Sequence, residues 1–121
     1  AVEQALLRFP HMMLTAEPTE APDEEVTVEV TFEGGVPVAV NGQKMGSIEL
    51  IDFMNKTAGA AGYGRIDMIE DRLVGFKSRE VYECPGALAI IAAHKKLETL
   101  TLAKDTLKTK RELEVKFAEM T

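Results

Sequence analysis

The stretch from Gly62 to Pro85 constrains the fold of this chain most strongly, because it holds two β-patterns and the start of a helix. In the first predicted strand, positions 66, 68 and 70 share one face, and in the second, positions 74, 76, 78, 80 and 82 do. The turn between them is predicted at Asp71-Arg72. Pro85 suits the first position of a helix, where its missing N–H is no loss. The stretch therefore predicts a charged hairpin followed directly by a helix.

A second β-pattern runs from Val26 to Val40. Apolar residues alternate with Thr and Glu in its first half, and Gly34-Gly35 separates that half from three alternating valines. Two glycines between such runs predict a tight hairpin. Because Pro37 has no N–H to donate to a neighbour, the second strand is predicted at a sheet edge. Asn41-Gly42 predicts the next turn.

Three helices are predicted. The first has Ser47 as its N-cap, carries apolar residues at helical spacing and stops at Gly62. The second runs from Pro85 to about Leu97 and is apolar almost all round, which predicts a central, buried position. The third follows Thr101, a possible cap, and carries an apolar stripe among Lys and Glu residues. Together these patterns predict an α+β fold of antiparallel β-hairpins packed against three main α-helices.

The domain organisation follows from one biased segment. Residues 15–25, TAEPTEAPDEE, contain two prolines and five acidic residues, which is typical of an exposed linker. We therefore separate an amino-terminal segment with its acidic linker, residues 1–25, from a folded part, residues 26–121. A chain of 121 residues is one domain in size. It lacks an initiator Met and ends within a helical pattern, so we expect a piece of a larger protein.

Composition excludes several classes of function. The net charge of −6 argues against a general nucleic-acid or anionic-membrane surface. The one cysteine, Cys84, permits no internal disulfide, and neither a signal peptide nor a membrane-length apolar run is evident, so we expect a cytoplasmic protein with no membrane partner. His11 and His94 lack the spacing of a zinc site. The glycines form no phosphate-binding loop.

Two residues of the hairpin stand out chemically. Glu70 ends an otherwise apolar strand face, where a carboxylate needs water, a cation or hydrogen-bond donors. Tyr82 offers a hydroxyl on an apolar body. One interpretation is a site for a zwitterionic or amide-bearing small molecule. The other is that Glu70 pairs with Arg65 or Arg72 while Tyr82 only packs.

The residues GYGRIDMIEDRLVGFKSREVYECPGALAIIAAHKKLETLTL, from Gly62 onwards, resemble the carboxy-terminal synthetase domain of argininosuccinate synthase. That family has Gly-Arg-Ile-Asp, a Glu-Asn-Arg-like turn, Lys-Ser-Arg, Tyr-Glu-x-Pro-Gly and an Ala-His segment, and all occur here in order. Asp71 stands in the usual Asn place. The similarity extends from about Ala21 to the end of the chain and includes the Gly-Val-Pro-Val strand.

The resemblance implies an ATP-dependent ligase of arginine biosynthesis. In that family the ureido oxygen of citrulline attacks the α-phosphate of ATP, which is used with Mg²⁺, and the amine of aspartate then displaces AMP. Two citrulline-binding residues of the family fall on Glu70 and Tyr82. The resemblance implies no catalytic residue, metal ligand or cofactor-binding residue in this chain.

The chain also departs from the family. The amino-terminal Ser-Gly-Gly-Leu-Asp-Thr-Ser loop that binds ATP is absent, as is the region that binds aspartate. We therefore expect the chain alone to be inactive, and the full-length protein to be a homo-oligomer, a tetramer in this family. The alternative is a non-catalytic interaction module that binds a partner through an edge strand at Val36–Val40 or through the terminal helix.

Overall fold

The structure, a computed structural model, describes residues 12–120 and confirms the α+β fold. Its elements are β1 (Val30–Glu33), β2 (Val36–Val40), β3 (Gln43–Lys44), α1 (Ser47–Ala60), β4 (Arg65–Asp71), β5 (Lys77–Glu83), α2 (Pro85–Thr101) and α3 (Lys104–Met120). The strands form two antiparallel sheets, with the orders β1-β2-β3 and β4-β5. The chain forms two compact units, and the boundary between them follows Ile90 within α2.

Both predicted turns of the three-stranded sheet are present. Gly34 and Gly35 have φ of 56° and 82°, and Asn41 and Gly42 have φ of 49° and 78°. Two successive residues with positive φ match the twist of the flanking strands, which is why Gly-Gly and Asn-Gly are favoured there. These two turns set the strand order β1-β2-β3.

The prediction that Val36–Val40 is an edge strand is wrong, because β2 lies between β1 and β3. Pro37 is accommodated because β3 pairs only with Ala39 and Val40, which leaves the β3 side open beside the proline. On the other side Pro37 faces Phe32, next to an irregularity in the β1–β2 register. β2 therefore does not offer a free edge along its whole length, because β1 pairs on one side of it and β3 pairs with its last two residues on the other.

The first strand is also shorter than predicted, because β1 begins at Val30 and not at Val26. The residues before it are still held in place: the Asn41 N–H donates to the Glu29 carbonyl oxygen at 2.8 Å, and the Glu29 N–H donates to the Asn41 side-chain oxygen at 2.9 Å. Val28 packs against the core from this position. The alternation thus marks a half-buried extended segment, of which only the end pairs as a strand.

The core of the first unit joins the three-stranded sheet to α1 and the first turns of α2. Val40, Leu50, Met54 and Ile90 are buried together. Six partly buried hydrophobic residues surround them: Val28, Val30, Phe32, Met45, Phe53 and Ala89.

The first helix begins at Ser47, but its N-cap is Gly46 and no side chain caps it, so the prediction of Ser47 as N-cap is wrong. The Leu50 N–H donates to the Gly46 carbonyl oxygen at 2.9 Å, so the helical bonding begins one residue earlier.

The second helix starts at Pro85 as predicted, but the prediction that it is central is wrong. Its buried residues are Pro85, Gly86 and Ile90, whereas Ile91 and Leu97 are exposed. Within the first unit, Ile90 belongs to the core and Ala89 packs against it.

The end of α2 also differs from the prediction. The helix continues to Thr101 and not to about Leu97, and α3 begins at Lys104. Thr101 is therefore not the cap of the third helix: its hydroxyl donates to the Leu97 carbonyl oxygen at 2.9 Å within α2. Within residues 12–120, no helix is long and apolar enough to cross a membrane.

Candidate functional site

The predicted charged hairpin is a two-stranded arm formed by β4, β5 and the loop 72–76. Its register runs from Arg65 opposite Glu83 to Asp71 opposite Lys77. The turn is longer than the predicted Asp71-Arg72 turn. The Arg72 N–H donates to the Phe76 carbonyl oxygen at 3.0 Å, and Gly75 has a φ of 87°. Val74 and Phe76 therefore lie in the loop and not on the predicted strand face.

One face of the arm, here called the site face, carries both residues singled out from the sequence. Alternation along the strands places Ile66, Met68 and Glu70 on this face, opposite Tyr82, Glu80 and Ser78 respectively. The faces predicted within the two strands are therefore confirmed.

Glu70 and Tyr82 are in contact although Tyr82 lies four positions along β5 from Ser78, the residue opposite Glu70, because both side chains are long. The Tyr82 hydroxyl donates to Glu70 Oε1 at 2.5 Å. This bond raises the pKa of the Tyr82 phenol, because losing the proton would place two negative charges side by side. Burial and the charges of Glu70 and Glu80 act in the same direction, and Arg72 opposes them. The phenol is therefore held as a neutral donor.

Arg72 folds back over the site face and contacts three of its residues. Its Nε donates to Ser78 Oγ at 2.7 Å, its Nη2 binds Glu80, and its Nη1 lies 3.4 Å from Glu70 Oε2. Of the two arginines considered as partners of Glu70, the structure therefore selects Arg72. The Glu70 side chain remains about a quarter exposed.

The opposite face of the arm holds ion pairs. Arg79 donates to both carboxylate oxygens of Asp67, at 2.8 and 2.5 Å, and Lys77 lies 2.6 Å from Asp71. The bidentate bond lowers the pKa of Asp67 and raises that of Arg79. These pairs join β4 to β5, which gives Lys77 and Arg79 a structural part in the arm.

The base of the arm holds a cluster that the sequence did not predict. Glu83 accepts hydrogen bonds from the N–H groups of Met13, Leu14 and Thr15 and from the Thr15 hydroxyl. Burial acts to raise the pKa of Glu83, but these bonds outweigh it and the pKa is lowered. Arg65 donates to the Thr15 hydroxyl at 2.7 Å and to the Ala16 carbonyl oxygen at 3.0 Å. The contacts span 48 or more positions in the sequence, so no local pattern indicates them.

Glycines allow close packing around this base. A Cβ on Gly64 would lie 2.1 Å from Pro85 Cα, and a Cβ on Gly59 would lie 1.9 Å from the Leu14 carbonyl oxygen. At Gly86 the N–H donates to the Asn55 side-chain oxygen at 2.9 Å, which ties the start of α2 to α1. The arm is thus anchored at its base to residues 13–16 and to the start of α2.

The remaining chemical candidates form no site. His94 Nδ1 lies 3.5 Å from Glu98 Oε1 on the same helix, and Cys84 is half-buried between β5 and α2. No group of three or more His, Cys, Asp or Glu residues within 12–120 is arranged to hold a metal ion. His11 lies outside the described residues.

Comparison with known proteins gives one consistent result. The family model described as "Arginosuccinate synthase C-terminal domain" matches residues 10–121. The chain is 59% identical over 108 residues to the argininosuccinate synthase of Rubrobacter xylanophilus. The matched stretch covers 89% of this chain and 26% of that protein. It is 53% identical over 100 residues to the enzyme of that name from Synechococcus sp. strain WH7803, 83% of this chain and 25% of that protein. Identity to the Methanococcus maripaludis protein is 49% over 106 residues, 88% of this chain and 27% of that protein. The chain spans about a quarter of the length of these relatives.

Proposed function

This chain belongs to the argininosuccinate synthase C-terminal domain family, and we propose that it forms the citrulline-binding part of an ATP-dependent ligase of arginine biosynthesis. The reaction joins citrulline to aspartate, forms argininosuccinate and releases AMP and pyrophosphate. The observation that carries the proposal is the convergence of Glu70 and Tyr82 on the site face, with the hydroxyl and the carboxylate 2.5 Å apart.

Glu70 and Tyr82 have the chemistry needed to bind citrulline. A carboxylate accepts charge-assisted hydrogen bonds from an ammonium group or from ureido N–H groups, both of which citrulline carries. The neutral Tyr82 phenol donates or accepts and fixes the direction of the substrate chain. Neither group has to transfer a proton, because catalysis in this proposal comes from holding the ureido oxygen in line with the α-phosphate of ATP.

In the proposal, the ATP, its Mg²⁺ and the aspartate bind to other parts of the polypeptide. The exposed tip of the arm supports the proposal that further parts of the polypeptide pack against it. Its loop exposes Leu73, Val74 and Phe76, and an isolated two-stranded hairpin is only marginally stable in water. We propose that the rest of a cytoplasmic, homo-oligomeric enzyme covers this apolar tip, and that the 121-residue chain alone does not catalyse the reaction.

Citrulline kinetics of a full-length enzyme that carries this domain test the proposal. Glu70→Gln removes a charge-assisted bond and should raise the citrulline KM about tenfold or more, and Tyr82→Phe should raise it about three- to tenfold. The ATP KM should change little in either variant. Asp67→Asn, which removes a carboxylate from the opposite face of the same strand, is the matched control. An unchanged citrulline KM in both site-face variants would refute the assignment.

A further inference from the structure

We propose that Glu80 and Ser78 are positioning residues that keep Arg72 from forming a close, bidentate pair with Glu70 and thereby keep Glu70 able to bind citrulline. The inference rests on the proposed function of Glu70. It assigns the availability of Glu70 for binding to three further residues of the arm, none of which has to touch the substrate.

The contacts of Arg72 support this assignment. Its guanidinium lies between two carboxylates, yet it is bonded unequally to them. Nη2 makes a direct hydrogen bond with Glu80, whereas Nη1 approaches Glu70 only to 3.4 Å. The Nε–H is held by Ser78 Oγ at 2.7 Å. Ser78 and Glu80 both lie on β5, so that strand fixes the guanidinium on its own side of the site face.

The position of the Arg72 guanidinium decides how many hydrogen-bond acceptor sites of Glu70 stay open to a substrate. An ionised carboxylate has about four lone-pair sites for hydrogen-bond donors. Tyr82 uses one at Oε1, and Arg72 approaches Oε2 without a short bond. If Arg72 were released by Glu80, it could form the bidentate pair that arginine prefers with a carboxylate. That pair would occupy the positions a citrulline ammonium or ureido group needs.

The charge balance of the face leads to the same conclusion. Glu70 and Glu80 carry two negative charges and Arg72 one positive charge, so the cluster retains one net negative charge. A cationic group of a substrate is attracted to that charge. Without the Glu80 carboxylate the cluster is neutral, and Glu70 becomes the only carboxylate partner of Arg72 on this face. The side chains of Arg72, Glu70 and Glu80 are 42%, 24% and 34% exposed, so solvent screens the effect.

A double-mutant cycle in the full-length enzyme tests the proposal, with citrulline Kd by calorimetry and citrulline KM as readouts. Glu80→Gln should weaken citrulline binding about two- to fivefold and leave the ATP KM unchanged. Adding Arg72→Gln to Glu80→Gln should restore the affinity, because the competing guanidinium is gone. Ser78→Ala should weaken binding in the same direction by a smaller factor. Restoration by a second substitution is not expected if Glu80 only stabilises the fold.

The controls separate this proposal from the one it rests on. Asp67→Asn removes one negative charge from the other face and should leave citrulline affinity unchanged. If Glu70→Gln weakens citrulline binding but Glu80→Gln behaves like Asp67→Asn, the positioning role is refuted and the proposed function stands. The positioning role is also refuted if the double variant binds more weakly than Glu80→Gln. If Glu70→Gln has no effect while Tyr82→Phe does, the positioning role alone is refuted. If neither variant has an effect, both proposals fall.

Discussion

Arg65 and Glu83 are opposite each other at the base of the arm, and both bind the same threonine. Arg65 Nε donates to the Thr15 hydroxyl oxygen at 2.7 Å, and that hydroxyl donates to Glu83 Oε1 at 2.5 Å. The hydroxyl is thus used as both acceptor and donor, and Thr15 is 6% exposed. Because Glu83 follows Tyr82 on β5, the strand that carries a proposed substrate-binding residue is also the strand that fixes residues 13–15.

The first prediction concerns the stability contributed by Glu83. Glu83→Gln places an amide NH₂ donor against backbone N–H donors of residues 13–15 and should destabilise the chain by about 1.5–3 kcal/mol at pH 7. Denaturant unfolding followed by circular dichroism measures the change, since the chain contains no tryptophan. Glu24→Gln, in the exposed linker, is the control and should change stability by less than about 0.5 kcal/mol.

The pH dependence of that difference provides a further check. The pKa of Glu83 is lower in the folded chain than its ordinary value, so its contribution is complete above the unfolded-state pKa of about 4.3. The contribution is lost as the pH falls through the lower, folded-state pKa. The stability difference between the native chain and Glu83→Gln should therefore be constant from pH 7 to about 5 and shrink below about 4. A difference that grows on acidification would contradict the bonding described here.

Local patterns predicted those features that depend on neighbouring residues. The turns at Gly34-Gly35 and Asn41-Gly42 require positive φ, and Pro85 is favoured at the start of a helix, so each could be predicted from two or three residues. The order of the strands could not. Pro37 predicts an edge strand because it has no N–H to donate. The two-residue β3 does not extend as far as Pro37, so the proline still has no β3 partner, although β2 as a whole lies between two strands.

The site was predictable only in part for a related reason. Alternation placed Glu70 and Tyr82 on strand faces, and the family resemblance selected them. Their contact depends on the register of two strands, and the position of Arg72 depends on a five-residue loop where the sequence predicted a tighter turn. The binding of Thr15 by Arg65 and Glu83 joins positions far apart in the chain, whereas the composition of residues 15–25 predicts an exposed linker at Thr15.

The second prediction concerns the junction between the arm and α2. Gly64 has a φ of 116°, and an added Cβ would lie 2.1 Å from Pro85 Cα. Gly64→Ala should therefore destabilise the chain by about 3 kcal/mol or more, from backbone strain and overpacking together. The control is Gly34→Ala, where φ is 56° and nothing lies within 4 Å of the added Cβ. This substitution should cost only about 1–2 kcal/mol, the penalty of placing an alanine in the left-handed conformation. Equal losses of stability in the two variants would show that the contact with Pro85 is unimportant.

The last prediction concerns the titration of Tyr82, which reports the contact with Glu70 without any substrate. The chain has two tyrosines, so Tyr63→Phe leaves Tyr82 as the only phenol that absorbs on ionisation. In this background the pKa of Tyr82 should lie above the ordinary value of about 10, because ionisation breaks the bond to Glu70 and places two negative charges together. Glu70→Gln should lower the pKa towards 10, since it removes the neighbouring charge.

Ultraviolet absorbance of the tyrosinate measures both values, and circular dichroism at each pH shows that the arm is still folded. The dependence of stability on pH supplies a second test, because folding raises the pKa of Tyr82. A pKa raised by folding contributes stability that is present below about pH 10 and is lost as the pH rises through the folded-state pKa. The Tyr63→Phe chain should therefore lose stability in that alkaline window, and addition of Glu70→Gln should reduce the loss. A Tyr82 that titrates at its ordinary pKa, or that does not respond to Glu70→Gln, would show that the two residues are not bonded in solution.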